Sequence, residues 1–237
     1  MVCDDHQSVV PRVRGDPGDQ RPELGLLALE RLQEIEAVEQ QQAGDVELSV
    51  ALPRGLDDLL DVGCGPGDIA PMMRGARYVG VDLSADYIER ARSNFGHLGR
   101  FYAADVGDLP KIVNNKFDVV VATGLLHHID DAAVAKLLRD AARMLKPGGR
   151  LVALDNVYIE NQNPLARFVI SLDRGQNVRW REPYERLFTG VFGSVRCSVY
   201  NDLLRIPYTH VIVEAADPIN LSANSGAPEK SLAAGDL

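Results

Sequence analysis

Residues 59–68 read LLDVGCGPGD, a run that passes from apolar residues into three glycines at alternate positions. The apolar residues predict a short buried strand, and the glycines predict a tight turn at its end. Glycines let the backbone approach a ligand closely and adopt positive φ angles at little cost. Ile69 and Ala70 predict a helix directly after the turn, which would aim free N–H groups toward it. The stretch is therefore typical of a nucleotide site at the carboxyl end of a strand.

The spacing of the glycines bears on which nucleotide fits this turn. Dinucleotide-binding folds carry G-x-G-x-x-G, whose third glycine opens the helix that holds a pyrophosphate. Counted from Gly63, that third position is Asp68. A carboxylate there repels a pyrophosphate but tolerates a cation, so the turn favours a cofactor without phosphate.

Strand and helix patterns alternate from residue 57 onward. Ser84 is a suitable N-cap for an amphipathic helix that ends at Gly96, and a second helix is expected to end at the turn Lys146–Gly149. Alternation of this kind implies right-handed crossovers and a doubly wound, mostly parallel α/β sheet. Strands are predicted up to Asp61, at 77–81, near 101–104, at 117–122 and 150–155, and near 195–200 and 210–215.

Size and composition limit the classes of protein that fit. A chain of 237 residues holds one substantial α/β core with room for a small addition. The net charge of −9 argues against a nucleic-acid surface, which needs a basic face. The three cysteines are far apart, which predicts neither disulfides nor a metal site and fits a reducing cytoplasm. No apolar run is long enough to predict a membrane span; the oligomeric state is left open.

The alternation of strands and helices is interrupted or absent in three segments of the chain. Residues 1–22 are polar with three prolines and predict a flexible arm, and residues 23–216 are assigned to one domain that opens with an amphipathic helix near 24–38. Residues 156–192 interrupt the alternation; they form either a lid over an acceptor or a surface excursion. Residues 217–237 are rich in small polar residues and predict a disordered tail.

Two acidic residues stand at the ends of neighbouring predicted strands. Asp82 lies 82 − 63 = 19 positions after Gly63, and adjacent parallel strands bring their carboxyl ends together. A carboxylate accepts two hydrogen bonds and suits a ribose diol, although Asp82 also has the position of a helix cap. Asp105 ends the third strand and is either a ligand contact or a turn carboxylate.

The motifs together carry a family resemblance. DVGCGPG, VGVDLS, AADV, FDVVVA, LLHHI and LKPGGRL occur in one order within residues 57–155. In this order they resemble the class I S-adenosylmethionine-dependent methyltransferases of small-molecule type. The resemblance implies a Rossmann-like, seven-stranded, mostly parallel sheet with helices on both faces. It also implies methyl transfer from S-adenosylmethionine, whose sulfonium and amino groups carry no phosphate.

The resemblance assigns roles to individual residues. Asp82 would hold the ribose, Asp105 the adenine amino group, and Val106 the adenine ring, while Asp61 either orients the cofactor ammonium group or holds the turn. Cys64 is interpreted as a packing residue beside the cofactor. The full set of implied cofactor residues is Asp61, Gly63, Cys64, Gly65, Gly67, Asp82, Leu83, Asp105, Val106 and Thr123.

Catalytic and acceptor residues are predicted after the fourth strand. His127 and His128 lie at the mouth of the expected site, and we expect positioning rather than proton transfer from them, since no nearby carboxylate in the sequence orients either ring. Arg179, Arg181 and Tyr184 are predicted acceptor contacts, because acceptor sites belong on loops beyond the strand ends.

The predicted function is metal-independent methyl transfer from S-adenosylmethionine to a small molecule by in-line displacement. Three alternatives stay open. The acceptor is a protein side chain or RNA, the chain binds the cofactor without turnover as a regulatory protein, or it is an NAD-dependent oxidoreductase. Asp68 opposes the last of these.

Overall fold

A computed structural model describes residues 57–219, apart from residues 74, 174 and 205. The predicted arm at 1–22, the helix near 24–38 and residues 220–237 of the predicted tail lie outside this range. The strands are β1 (Asp58–Val62), β2 (Arg77–Asp82), β3 (Gly99–Ala103), β4 (Phe117–Thr123), β5 (Leu145–Tyr158), β6 (Arg179–Trp180), β7 (Phe192–Tyr200) and β8 (His210–Pro218). The α-helices are α1 (Ala85–Phe95), α2 (Leu109–Ile112), α3 (Asp131–Met144), α4 (Pro164–Ser171) and α5 (Arg181–Thr189).

The sheet has the order β3-β2-β1-β4-β5-β8-β7, with the two-residue strand β6 paired to β5 beside this path. Strands β1 to β5 pair in parallel. Strand β8 runs antiparallel to both β5 and β7. The expectation of seven strands, mostly parallel, is confirmed for the main path, and β6 is an addition that the sequence pattern did not predict.

Helices cover both faces because side chains alternate along each strand. Leu59 points into a core with Ile88 and Ala91 of α1. Its neighbour Leu60 points into the opposite core, with α3 and with Tyr184 of α5. The strand order reverses between β1 and β4, because β2 lies on one side of β1 and β4 on the other. This reversal leaves a crevice at the carboxyl ends of the strands, where ligands bind in folds of this type.

Local capping chemistry fixes where the helices begin. Ser84 accepts a hydrogen bond from Tyr87 N at the start of α1, and Asp130 accepts one from Ala133 N at the start of α3. Asn163 caps α4 by accepting from Leu165 N. The predicted cap at Ser84 and stop at Gly96 are confirmed.

Three local expectations are wrong. The glycine turn is followed by a 3-10 helix of only three residues, Ala70–Met72. Helix α3 ends at Met144, and β5 begins at Leu145 with the predicted turn inside it. Strand β5 extends past its predicted end to Tyr158, which pairs with Trp180 of β6, and β8 extends to Pro218, which pairs with Phe192 of β7.

The predicted insertion at 156–192 is part of the fold. Val157 and Tyr158 pair with Arg179 and Trp180 in β5 and β6. Tyr184 and Phe188 of α5 are fully buried in the main core. The segment is therefore anchored at both ends, which limits its freedom to act as a lid.

Candidate cofactor and acceptor site

The glycine turn is held by β2. Gly63 N and Cys64 N both donate to Val81 O, at 2.8 and 3.1 Å. Gly63, Gly65 and Gly67 take positive φ angles of 75°, 52° and 84°, which favour glycine. The predicted turn geometry is therefore present at the carboxyl end of β1.

The glycines of the turn have different surroundings. A Cβ at Gly65 would meet no atom within 4 Å, so this residue faces open space. A Cβ at Gly67 would lie 2.9 Å from the ring of Phe101 and 3.2 Å from Ala91, so Gly67 is needed for packing of the core. Gly65, rather than Gly67, is thus the glycine that allows a ligand to approach the backbone.

Asp82 joins the turn to α1. Its Oδ2 accepts from Gly65 N at 2.9 Å and its Oδ1 accepts from Ser84 N at 2.8 Å. Asp82 therefore faces the glycine turn, as predicted, and it holds the backbone amide of Ser84, the N-cap of α1. A carboxylate has about four acceptor positions, so Asp82 keeps capacity for a ribose diol.

Asp61 lies beneath the turn, only 2% exposed, and accepts a hydrogen bond from the Tyr78 hydroxyl. Burial raises the pKa of Asp61 to about 7, assisted by the charge of Asp82 and opposed by the bond from Tyr78. Cys64 is also buried, with Sγ packed over Gly80, and burial raises the pKa of its thiol well above the usual value. A thiol with such a pKa stays protonated, which agrees with its interpretation as a packing residue.

The other predicted cofactor residues surround the same crevice. Asp105 follows β3 and accepts from Gly107 N at 2.7 Å, and Val106 begins the short 3-10 helix after it. The side chain of Leu83 is 72% exposed. Thr123 ends β4, and its buried Oγ1 has no hydrogen-bond partner among the described residues. An unpaired buried hydroxyl is costly, so this atom marks a place where a ligand is expected.

His127 is buried in a network of polar side chains, the His127 network, which comprises His127, Asp155, Asn156, Asp173 and Tyr208. His127 Nδ1 lies 2.5 Å from Asp155 Oδ1, and Nε2 lies 3.5 Å from Asp173 Oδ1. Asp173 in turn accepts from the Tyr208 hydroxyl at 2.8 Å and from Asn156 Nδ2 at 2.9 Å. Both ring nitrogens therefore face carboxylates of the protein.

The network ties three segments together. Asp155 Oδ2 also accepts from Leu126 N and His127 N, at 2.7 and 3.1 Å, which fixes the loop after β4. Gly175 lies so close that a Cβ on it would be 1.9 Å from Cδ2 of His127. Burial by itself lowers the pKa of His127, but the bonds and charges of Asp155 and Asp173 outweigh it and raise the pKa to about 10. His127 is thus a charged residue inside the protein at neutral pH.

The local sequence offers no carboxylate to orient His127, but two carboxylates that are distant in sequence do so. Asp155 comes from β5 and Asp173 from the segment after α4, far from His127 in sequence. His128 is different: it is exposed, it stacks on His127 at 4.0 Å between ring centroids, and burial of part of its ring lowers its pKa. Of the two, His128 is the one that solvent and ligands reach.

Two predicted acceptor contacts lie inside the protein. Arg179 is 7% exposed and makes four hydrogen bonds, which go to Asp131 Oδ1 and to three backbone carbonyls, those of Leu126, Asn177 and Ile129. Tyr184 is fully buried, so its ring is not available to an acceptor. The geometry gives both residues a structural role, because their polar or aromatic groups face the core. Arg181 is exposed at the start of α5.

Several residues of this edge carry a role that sequence reasoning missed. The strand pattern includes Asp155 without assigning it a function, although it follows the same rule as Asp82 and Asp105, an acid at the end of a strand. Asp173 and Tyr208 carry no sequence signal, since each gains its partner only through the fold.

A family comparison identifies the domain that this crevice belongs to. A model of the methyltransferase domain matches residues 59–149, which run from β1 into β5 and include the turn, Asp82, Asp105 and both histidines. Residues 59–149 match the methyltransferase domain, the kind of domain that the sequence motifs resemble. The predicted resemblance is therefore confirmed.

Two curated relatives match less than half of the chain. A ubiquinone/menaquinone biosynthesis C-methyltransferase from Desulfotalea psychrophila is 37% identical over 106 residues, which are 43% of this chain and 42% of the relative. A 27-O-demethylrifamycin SV methyltransferase from Amycolatopsis mediterranei is 40% identical over 120 residues, 45% and 41% of the two chains. The match thus spans less than half the length of these relatives.

Solved structures share the fold of the methyltransferase domain. A mitomycin 7-O-methyltransferase superposes with a TM-score of 0.60 at 18% identity, over 83% of this chain and 58% of the other. Magnesium protoporphyrin IX methyltransferase from Synechocystis, solved with bound S-adenosylhomocysteine, gives 0.59 at 20% identity, over 78% and 87%. These likenesses show the fold.

The residues present fit the cofactor of the family. The open face of Gly65, the spare acceptor positions of Asp82 and the unpaired Thr123 Oγ1 lie at the carboxyl ends of β1, β2 and β4, which are neighbours in the sheet. In the part of the chain that the structure describes, no helix is sufficiently long and apolar to cross a membrane.

Proposed function

We propose that the protein transfers a methyl group from S-adenosylmethionine to a small-molecule acceptor by in-line displacement. The observation that carries this proposal is the crevice at Gly65, where an open backbone, a carboxylate and an unpaired hydroxyl converge at the strand ends of a methyltransferase domain. When bound, S-adenosylmethionine supplies an activated methyl group with a neutral leaving group.

The protein's own residues bind and orient in this proposal. Asp82 accepts hydrogen bonds from the ribose hydroxyls, Asp105 and Val106 bind the adenine, and the turn at Gly65 lies along the cofactor. Asp61 supports the turn from below through Tyr78. Thr123 donates or accepts one hydrogen bond at the centre of the crevice. Holding two reactants in line contributes on the order of 7–11 kcal/mol, so positioning suffices for much of the barrier.

The His127 network positions the acceptor side of the crevice. It fixes the loop after β4 and the segment around Gly175, while both nitrogens of His127 face carboxylates. A base is needed only where the acceptor keeps its proton at the working pH. His128, exposed and with a lowered pKa, is the histidine available for contact with an acceptor.

The relatives support a small acceptor without naming it. The name of one relative refers to ubiquinone and menaquinone biosynthesis, that of another to a rifamycin and that of a third to ribosomal RNA. Each of them matches 43–49% of the chain. The family model ends at residue 149, inside β5, so we assign acceptor choice mainly to the residues after it. The net charge of −9 disfavours RNA. A cytoplasmic location is part of the same proposal.

Isothermal titration calorimetry with three ligands tests the cofactor. The purified protein is expected to bind S-adenosylmethionine and S-adenosylhomocysteine, and to bind NAD far more weakly. Preferential binding of NAD would refute the proposal. A screen of metabolite extracts with methyl-labelled S-adenosylmethionine then shows which compounds gain label; cofactor binding without labelling of any compound would favour a regulatory protein without turnover.

A further inference from the structure

A pocket of about 180 Å³ shares Tyr208 with the His127 network and contains none of the predicted cofactor or acceptor residues. We call it the amide pocket, because four of its lining residues carry side-chain amides. They are Asn161, Gln162, Asn163 and Asn201, and the rest of the lining is Ile159, Ala166, Pro207 and Tyr208.

The amide pocket lies at the same edge of the sheet as the cofactor crevice. Its residues follow the end of β5 at Tyr158 and the end of β7 at Tyr200, and they precede β8, which runs antiparallel. Strands lie ~5 Å apart, so β5 and β8 are separated from β1 by roughly 10–15 Å. Tyr208 belongs to both the pocket and the His127 network. The pocket therefore lies where an acceptor would approach the crevice.

In three of the amides, one polar atom is held by a hydrogen bond and the other has no hydrogen-bond partner among the described residues. Gln162 Nε2 donates to Val157 O, while its buried Oε1 is unpaired there. Asn163 Oδ1 accepts from Leu165 N, and Asn201 Oδ1 accepts from the Thr209 hydroxyl. The amide nitrogens of Asn163 and Asn201 remain available, so the pocket holds oriented donors together with one acceptor.

The fourth amide is set by an unusual backbone. Asn161 has φ +54°, in the left-handed region, and is one of two non-glycine residues among those described that take such an angle. This conformation carries strain for most residues, while glycine adopts it freely. The position therefore allows Asn161→Gly to remove the side-chain amide with the backbone unchanged.

We propose that the amide pocket binds an uncharged, oxygen-rich group of the acceptor, with hydroxyl, ether or carbonyl oxygens. None of the eight lining residues carries a formal charge, which gives the pocket no means of selecting an anion over a neutral group. Its amide nitrogens are donors that match acceptor oxygens, and Gln162 Oε1 matches one hydroxyl. Its volume suits one ring-sized group rather than a whole ligand, since complete small-molecule sites run to about 300–1,000 Å³. The inference rests on the proposed function and names its class of acceptor.

Saturation-transfer NMR on the full-length protein tests the pocket with defined probes. Methyl α-glucopyranoside represents sugar hydroxyls and N-methylacetamide represents carbonyls, while inorganic phosphate and benzoate serve as anionic comparisons. We expect a neutral probe to bind with a Kd of about 1 mM and the anions to bind more weakly. The relative signals of the two neutral probes distinguish hydroxyl from carbonyl ligands.

Two variants locate the binding in the pocket. Asn161→Gly and Gln162→Met should each weaken the neutral probe by about threefold to tenfold, the effect of losing a neutral hydrogen bond. Asn114→Ala is the matched control, because Asn114 is exposed and precedes β4 at the opposite edge of the sheet. Thermal melts show whether each variant is folded, and two different variants guard against a folding defect in one.

The outcomes separate this inference from the proposed function. Stronger binding of the anions, absence of binding by both neutral probes, or unchanged binding in both folded variants would overturn the amide pocket as an acceptor site. Calorimetry with S-adenosylhomocysteine is run on the same samples. If that ligand binds and the neutral probes do not, only the pocket fails; if that ligand does not bind, the proposed function fails first.

Discussion

The glycine turn and the His127 network lie at the same edge of the sheet, but they differ in how far their polar groups are paired by hydrogen bonds within the protein. Around the turn, Gly65 faces open space and the hydroxyl of Thr123 has no partner among the described residues. In the network, Asp155 accepts from three backbone amides, those of Leu126, His127 and Asn156, and contacts the ring of His127. Among the described atoms of the network, only Asn156 Oδ1 is a buried side-chain atom without a partner. Open groups indicate a place for a ligand, whereas mutually paired groups indicate a support.

This contrast between open and paired groups changes how catalytic candidates are judged. A histidine near an active crevice is an attractive base by sequence position alone. His127 is enclosed by two carboxylates and Gly175, and its raised pKa keeps it protonated at neutral pH, which is the wrong state for a base. The exposed His128 and the amide pocket are better placed to meet an acceptor.

The largest expected effect comes from removing His127. His127→Ala leaves the buried carboxylate of Asp155 without its cationic partner, and breaking a buried pair in this way typically costs ~3–5 kcal/mol of unfolding free energy. Urea denaturation measures it. His128→Ala is the control and should change the unfolding free energy by less than about 1 kcal/mol, since that side chain is exposed. Similar small losses in both variants would contradict a structural role for His127.

Arg179→Ala should have the next largest effect. The substitution leaves the carbonyls of Leu126 and Ile129 unpaired beneath the surface, and unsatisfied groups of this kind cost ~1–3 kcal/mol each. We expect a loss of about 2–4 kcal/mol in unfolding free energy, with affinity for S-adenosylhomocysteine nearly constant. The exposed Arg181→Ala serves as the control and should stay within about 0.5 kcal/mol. Loss of acceptor binding without loss of stability would restore Arg179 as an acceptor contact.

Asp82→Asn tests the proposed contact between the glycine-turn side of the site and the ribose. The amide has one oxygen, so it keeps only one of the two contacts with Gly65 N and Ser84 N, and it also loses the charge that strengthens a bond to ribose. We expect affinity for S-adenosylhomocysteine to fall by about tenfold, which corresponds to about 1.4 kcal/mol. Calorimetry measures the affinity, and Asp86→Asn, at an exposed position in the first turn of α1, is the control. A folded variant with unchanged affinity would place the ribose elsewhere.

The last expected effect is a pH dependence of stability that comes from His127. Its folded-state pKa of about 10 lies above the ordinary value of 6.5, so the folded state binds the proton more tightly than the unfolded state. The resulting stabilisation is fully present below pH 6.5 and is lost as the pH rises through 10. Urea midpoints across this range should fall more for the wild type than for His127→Gln. Parallel curves for the two proteins would show that His127 does not remain charged.

The sequence by itself determined the cofactor half of the protein. The glycine run and the acids at the ends of successive strands are local signals, and each acts through its own backbone or through the neighbouring strand. Such signals predicted the parallel sheet, the cap at Ser84 and the approach of Asp82 to the turn. The family match over residues 59–149 covers the same part of the chain.

Only the tertiary structure decided which polar residues are open to a ligand. Arg179 is as polar in sequence as Arg181, yet the pairing of β6 with β5 buries one and leaves the other exposed. His127 gains Asp155 and Asp173 through long-range packing that no local pattern records. The reason is physical: burial and pairing depend on residues distant in sequence, so the chemistry of a side chain is known only when its neighbours are known.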